Sequence, residues 1–288
     1  MSNMVVRTNV LAINSHRSLK QVGLQQSKSS ARLSSGYKVN SAADDAAGLA
    51  ISEKMRAQIR GLDQASTNAQ DAISLIQTAE GGMQEIDNMI HRIRELTVKA
   101  ANDTLTNELD TGDRTKVYDE VKQLLSEIDN MSERVEFNKK SIINGTYETT
   151  GLHFQVGANS GTSQTMTVTI GNVNTTALGI GPTTLDGIGA AGATGASISA
   201  LLDDIDGALE HVTTQRSKLG AAQNRLEYAM KSLDISSENL SAAESRIRDT
   251  DMAKEMMSLT QANVLQQAAT SMLAQANQAP QSVLQLLQ

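Results

Sequence analysis

The sequence predicts a mainly α-helical fold, a rod of long helices running antiparallel as a coiled coil with a small β-hairpin region near its tip. Three observations carry that expectation. Apolar residues recur alternately three and four apart over long stretches, which is the seam of a coiled coil. Only six of the 288 residues are aromatic, so any core draws its bulk from Ala, Leu, Ile, Val and Met, which suits thin helix-on-helix seams. The lengths on either side of an irregular middle also match: residues 44–101 and 196–248 hold 58 and 53 residues, and the outer ends 1–43 and 249–288 hold 43 and 40. A chain that runs out, builds a tip and returns alongside itself has this balance, with its two termini as neighbours.

The N-terminal segment carries Arg7, Arg17, Lys20, Lys28, Arg32 and Lys38 before the first acid, which leaves −13 for the rest of a chain whose net charge is −7. Six cations at intervals, without aromatic stacking partners, read as solvated helix faces rather than a nucleic-acid footprint. The Ser-rich, acid-poor composition is also that of a transit peptide. A removable leader has no reason to match the C-terminal end in length, so that reading is set aside. The apolar runs MVV and VLAI are too short for a secretory signal, and no stretch is long and apolar enough to span a bilayer.

Ser41 and Asp44 form an S-x-x-D capping box, which predicts a helix starting near residue 42. Its seam runs Ala69, Ala72, Ile76, Ala79, Met83, Ile86, Ile90, Ile93, Thr97, Ala100. Gly81-Gly82 interrupts it, at a cost of about 2 kcal/mol relative to alanine, so the pair marks either close packing or a weak point. The stretch NDTLTNELDTGD, residues 102–113, is a turn-rich break. The seam then resumes as Val117, Val121, Leu124, Ile128, Met131, Val135. Asn144-Gly145 ends that helix, and up to about residue 195 the composition shifts to Gly, Thr, Ser and Asn. Within this middle, HFQV and TMTVTI alternate as paired strands do, separated by GANSGTSQ. The longest seam follows, from Ile198 to Ile247, with 13 of 15 positions apolar. At full helical rise it is about 75 Å long.

The chain then ends on 33 residues without a formal charge, from Met256 onward, with apolar residues at helical spacing. Their large apolar side chains cannot offset the cost of ordering so many residues, about 1–2 kcal/mol each for the backbone alone. The tail is therefore expected to order only against neighbours.

Nothing in the chain has the spacing of a catalytic or metal site. Cysteine is absent, which excludes disulfides, thiolate metal sites and Cys nucleophiles. GIGAAG, Gly187 to Gly192, matches a dinucleotide fingerprint but follows a Gly-rich loop instead of an apolar strand, and reads as a flexible linker. Asp110-Thr111-Gly112 is the aspartic-protease tripeptide, but it occurs once, between helical seams, and reads as a turn. His16, His91, His153 and His211 are scattered. Asp203, Asp204 and Asp206 lack calcium-loop spacing and read as solvating the first turns of the long helix. The expectation is a non-enzyme with no catalytic residue, cofactor or metal.

Two long motifs give a more specific signal. SSGYKVNSAADDAAGLAISEKMRAQIRGL, residues 34–62, resembles the N-terminal segment of bacterial flagellins. SRIRDTDMAKEM and LQQAATSMLAQANQAPQSVLQLLQ, near and at the C-terminus, resemble their C-terminal segment. The resemblance covers nearly the whole chain apart from about residues 176–195. It implies a structural subunit polymerising into the extracellular flagellar filament for swimming motility, in a minimal form without large surface insert domains. In that frame residues 1–43 and 249–288 are the two halves of an inner tube domain. Residues 44–175, with helices and a β-hairpin around FQVGAN, and 196–248 form the outer core domain, and 176–195 form a short variable surface linker.

The resemblance also implies partners. They are further copies of the chain, a secretion chaperone, the type III export apparatus, filament cap and hook-junction proteins, and a host Toll-like receptor, with no nucleic acid and no membrane insertion. Within HRIRELTVKA and YDEVKQLLSEID, Arg92, Leu96 and Glu120 match the principal receptor contacts, and Arg94 and Glu95 also fit; His91 stands where recognised members carry Gln. Leu265, Met272, Leu273, Val283, Leu284 and Leu287 are the residues expected to serve assembly and chaperone binding. A hook-filament junction protein shares helical termini, and a signalling coiled coil shares Ala/Gln/Glu-rich heptads. The first is disfavoured by the strength of the C-terminal match and the short middle, the second by the lack of membrane spans or a sensory domain.

Overall fold

The computed structural model describes residues 8–106, 112–190 and 192–286, with side chains described as far as 278. Six helices and four short strands follow in the order α1 (Val10–Ser35), α2 (Ala46–Ala100), α3 (Asp113–Arg134), β1 (Glu136–Phe137), β2 (Lys140–Ser141), β3 (Leu152–Gln155), β4 (Thr165–Val168), α4 (Pro182–Leu185), α5 (Gly195–Arg248) and α6 (Met252–Leu286). Two compact units partition the chain: Met1–Ala57 with Glu238–Gln288, and Gln58–Ser237.

In the first unit α1 and α6 pair antiparallel. Asn9 Nδ2 donates to the Ala276 carbonyl, Gln26 Nε2 to Asn263 Oδ1, and Arg32 lies 3.7 Å from Glu255, so one number falls as the other rises. The covered positions of α1 include Ala12, Ser15, Leu19, Val22, Gln26, Ser29 and Leu33, and those of α6 include Glu255, Leu259, Ala262, Gln266, Ala269, Leu273 and Ala276. Both sets step alternately by three and four, and small residues at several positions let the two backbones approach. The tail thus finds a neighbour within its own chain. Asn9 caps α1 by accepting from the Ala12 N–H, and Gly36 ends it in the left-handed region (φ 76°), where a side chain would be strained.

The capping box is placed too early by the sequence. Asp44 Oδ2 does reach back to the Ser41 N–H, but the Ser41 carbonyl accepts from the Asp44 N–H, which makes a turn. Asp45 is the residue that caps α2, its Oδ1 accepting from the Gly48 N–H at 2.9 Å. The helix therefore starts at Ala46, where an aspartate has its first free N–H three residues on.

The second unit is built on the predicted seams. All ten α2 positions from Ala69 to Ala100 are fully buried, and Thr97 satisfies its hydroxyl on the Ile93 carbonyl. The helix is unbroken at Gly81-Gly82. A Cβ on Gly82 would sit 2.7 Å from Val135 Cγ2, whereas one on Gly81 would meet nothing within 4 Å. The α3 seam differs from expectation: the buried positions are Arg114, Val117, Val121, Leu125, Ile128 and Ser132, while Leu124, Met131 and Val135 are half-buried. Spacings of three, four and four return the same face after eleven residues, as a straight helix does, whereas the heptad spacing drifts off it. On α5 the seam positions from Ile198 to Leu226 are buried, apart from half-buried Leu201; beyond them Leu233 is buried and the other seam positions to Ile247 are half-buried.

Strands β3 and β4 pair antiparallel, Leu152 opposite Val168 and Gln155 opposite Thr165, as the alternation predicts. The β1–β2 hairpin is an addition; it turns on Asn138 and Lys139, both at positive φ, as a two-residue type I′ turn requires. Residues 176–195, expected as a short variable surface linker, contribute side chains to the core. Leu178, Ile180, Leu185 and Ile188 join the core, Leu185 from the helical turn of GPTTLD and Ile188 from the 3-10 turn after it, while Thr183 stays exposed.

Candidate functional site

Two surfaces collect the residues that could serve recognition. On α6, Met252, Met256, Thr260 and Val264 form one i,i+4 row and Met257, Gln261 and Leu265 the next. Six of these line a shallow depression on the helix, and its four large apolar residues are exposed, as are Met252 before it and Met272 further along. Because α6 already covers its other face with α1, this apolar face is a second, separate one. Of the residues expected to serve assembly, Leu265 and Met272 lie exposed on α6, whereas Leu273 is on the seam that pairs with α1. The side chains of Val283 and Leu284, and all of Leu287, lie outside the described residues.

The second surface is a charged cluster on α2, α3 and α5. Arg92 donates from Nε and Nη2 to Glu120 Oε1, at 3.1 and 2.8 Å, and from Nη1 to Glu95 at 3.1 Å. Glu120, then Glu95, holds the Arg92 guanidinium in its charged form, raising its pKa. Arg94 donates to Asp206 at 2.7 Å; the bond raises the arginine's pKa and lowers the aspartate's. Asp206 therefore pairs across to α2 and does not serve the first turns of α5, which begins eleven residues earlier at Gly195. Arg92, Glu95 and Glu120 are exposed and Arg94 is partly so, but Leu96 is 2% exposed. It lies three residues after Ile93 and belongs to the core beneath the charges.

A third constellation, which sequence reasoning missed, is structural. Arg114, 4% exposed, donates to the carbonyls of Ala100 (2.9 Å), Ala193 (2.7 Å) and Asn102 (3.3 Å) and to Asp103 (2.8 Å). Asp103 also accepts from the Gly195 N–H at 3.0 Å, and the Arg114 guanidinium, then that N–H, holds its carboxyl below the usual aspartate range. One guanidinium thereby ties the end of α2, the start of α3 and the start of α5. The signal was available: Arg114 stands three residues before Val117, where the seam projects backward.

The GIGAAG stretch follows helical turns, with no strand before it, and Gly189 is needed because a Cβ there would meet the Tyr118 ring at 2.8 Å. Asp110 and Thr111 lie outside the described residues. Among the described residues no three His, Cys, Asp or Glu side chains gather as a metal site, and no helix is long and apolar enough to cross a membrane.

The family model described as the bacterial flagellin N-terminal helical region matches residues 6–148, and that of the C-terminal helical region matches 202–287. The chain is 49% identical over 284 residues to a flagellin of Halalkalibacterium halodurans, covering 99% of this chain and all of the relative. It is 46% identical over 307 residues to that of Bacillus subtilis, again covering 99% of this chain and all of the relative. A flagellin FlaB1 of Treponema pallidum is 42% identical over 292 residues, with 99% of this chain and all of the relative covered. Among solved structures, one described as a flagellar hook-associated protein from Vibrio parahaemolyticus superposes with a TM-score of 0.58 at 14% identity, over 72% of this chain and all of the other. At that identity it speaks to the fold alone.

Proposed function

This chain belongs to the bacterial flagellin family and is a structural subunit of the flagellar filament, and we propose that the exposed face of α6 is where its copies join. One observation carries the proposal. Among the described residues, twelve of the fifteen exposed large apolar side chains fall within Met1–Ala57 and Glu238–Gln288. A folded monomer leaves apolar surface of this extent uncovered when something else covers it. The absence of formal charge from Met256 onward supports the same reading, since a charge buried between copies loses water without an assured partner. Residues 1–43 and 249–288 would then line the inner tube, with 44–175 and 196–248 around it and 176–195 outermost.

Before assembly the same face is the natural ligand of a secretion chaperone, because Leu265 and Met272 would otherwise associate prematurely. Export through the type III apparatus to the cell exterior, and docking beside hook-junction and cap proteins, complete the reading. Recognition by the host Toll-like receptor falls to Arg92, Arg94, Glu95 and Glu120, with buried Leu96 fixing the α2 backbone beneath them. Sedimentation after salt-induced assembly tests the assembly face: Val264→Asp should stay soluble and Thr183→Asp should pellet like the parent. Pelleting of Val264→Asp would place the joint elsewhere.

A further inference from the structure

Met252, Met256 and Met257 stand on the exposed face of α6, with Met272 about four turns beyond the last of them; Met257 is 67% exposed. Other methionines are shielded: Met83 and Met166 are buried, and Met89 and Met131 are packed against the core. The chain holds twelve methionines and no cysteine, so no thiol within it intercepts an oxidant first. Among the described residues, the thioethers most open to solvent therefore lie on the one face whose apolar character matters for assembly.

We infer that this methionine face is an oxidation-sensitive switch on polymerisation, with a peroxide as the oxidant. The sulfur lone pair attacks one peroxide oxygen, the O–O bond breaks, and water leaves as sulfur gains oxygen. Sulfur is oxidised by two electrons and the peroxide is reduced. The product is a methionine sulfoxide, whose S=O is a strong acceptor on a side chain that was apolar and flexible. Met256 and Met257 share their depression with Thr260, Gln261, Val264 and Leu265, and most of its lining offers no donor to meet a new acceptor. A joint that buries this face loses contact area and gains an unsatisfied oxygen. Sulfoxides are reducible enzymatically, so the block is reversible. The inference rests on the assignment of the α6 face to assembly.

The test treats purified, unassembled full-length chain with graded hydrogen peroxide and reads oxidation at each methionine by peptide mass spectrometry. Polymerisation is read as the critical concentration in a sedimentation assay. Met252, Met256, Met257 and Met272 should oxidise ahead of Met83 and Met166. The critical concentration should rise about tenfold or more, which corresponds to about 1.4 kcal/mol per subunit. Two sulfoxide reductases, one for each epimer, should restore it. A variant carrying Met252→Leu, Met256→Leu, Met257→Leu and Met272→Leu should polymerise after the same treatment, leucine being similar in volume and helix preference. Parent chain with all four sites converted that still polymerises normally overturns the switch, as does loss of assembly in the treated leucine variant. Should the leucine variant itself fail to assemble, the oxidised parent and its recovery under the reductases decide alone. Leu265→Asp separates the two ideas: if it assembles, the face assignment fails; if it is blocked while oxidised parent assembles, only the switch fails.

Discussion

Replacing Arg114 by methionine removes a buried fork of hydrogen bonds while keeping most of the side-chain volume. The guanidinium makes two short bonds to backbone carbonyls, Ala100 and Ala193, a longer one to Asn102, and an ion pair to Asp103. Bonds from a charged donor contribute about 1.5–3 kcal/mol each. The Asp103 partner is 81% exposed, so that pair adds at most about 1 kcal/mol. Methionine packing returns part of the loss, and the net destabilisation of Arg114→Met should be about 3–5 kcal/mol, in the range found on breaking buried charge networks. Arg114→Lys keeps the charge but not the planar fork and should lose about half as much. Urea unfolding followed by circular dichroism measures both, and hydrogen exchange gives a local reading. The Gly195 N–H, bonded to Asp103, should exchange faster in Arg114→Met than in parent. A loss below about 1 kcal/mol, against the roughly 3–5 kcal/mol expected, with Gly195 exchange unchanged, would refute the idea that one arginine ties three helix ends.

The paired glycines of α2 predict opposite signs for one chemical change. Gly81→Ala should stabilise by about 1 kcal/mol, since a Cβ there meets nothing, whereas Gly82→Ala should destabilise because its Cβ would press on Val135; urea midpoints compare them. Asp44 beside Lys28 has its carboxyl lowered to about 2, chiefly by the hydrogen bond from that lysine. A depressed carboxyl contributes stability above its ordinary range and loses it as pH falls toward 2. Lys28→Met should move the Asp44 titration upward, read by carboxyl NMR. For the charged cluster, Arg92→Ala and Glu120→Ala should leave stability within about 1 kcal/mol, as exposed pairs do, yet weaken binding to the receptor ectodomain in surface plasmon resonance; unchanged binding would remove these residues from the proposed contact.

Much of this fold is legible because helical seams obey one physical rule. Each α2 position from Ala69 to Ala100 is buried where the three-four spacing puts it, and alternation alone locates β3 and β4. The misses have specific causes. A seam position taken by Arg114 looks polar in sequence, and only the three carbonyls that converge on it explain its burial. The Asn138-Lys139 turn lacks the glycine that announces a type I′ turn, and the burial of Ile180 and Leu185 depends on packing that no local pattern encodes. The assembly surface was half legible. Uncharged composition pointed to the tail, but which side faces α1 follows from the antiparallel register, which separates Leu273 from Leu265 and brings forward the unremarked Met256 and Met257.

The most direct test of the assembly account compares parent, Leu265→Asp and Thr183→Asp by electron microscopy and sedimentation after salt-induced polymerisation, with circular dichroism confirming that each is equally helical. Leu265 is exposed on α6, so aspartate there leaves the α1 pairing untouched and alters only the outer face. Long uniform filaments from parent and Thr183→Asp, with Leu265→Asp remaining in the supernatant, is the predicted result. Filaments of Leu265→Asp at the parental critical concentration would contradict it.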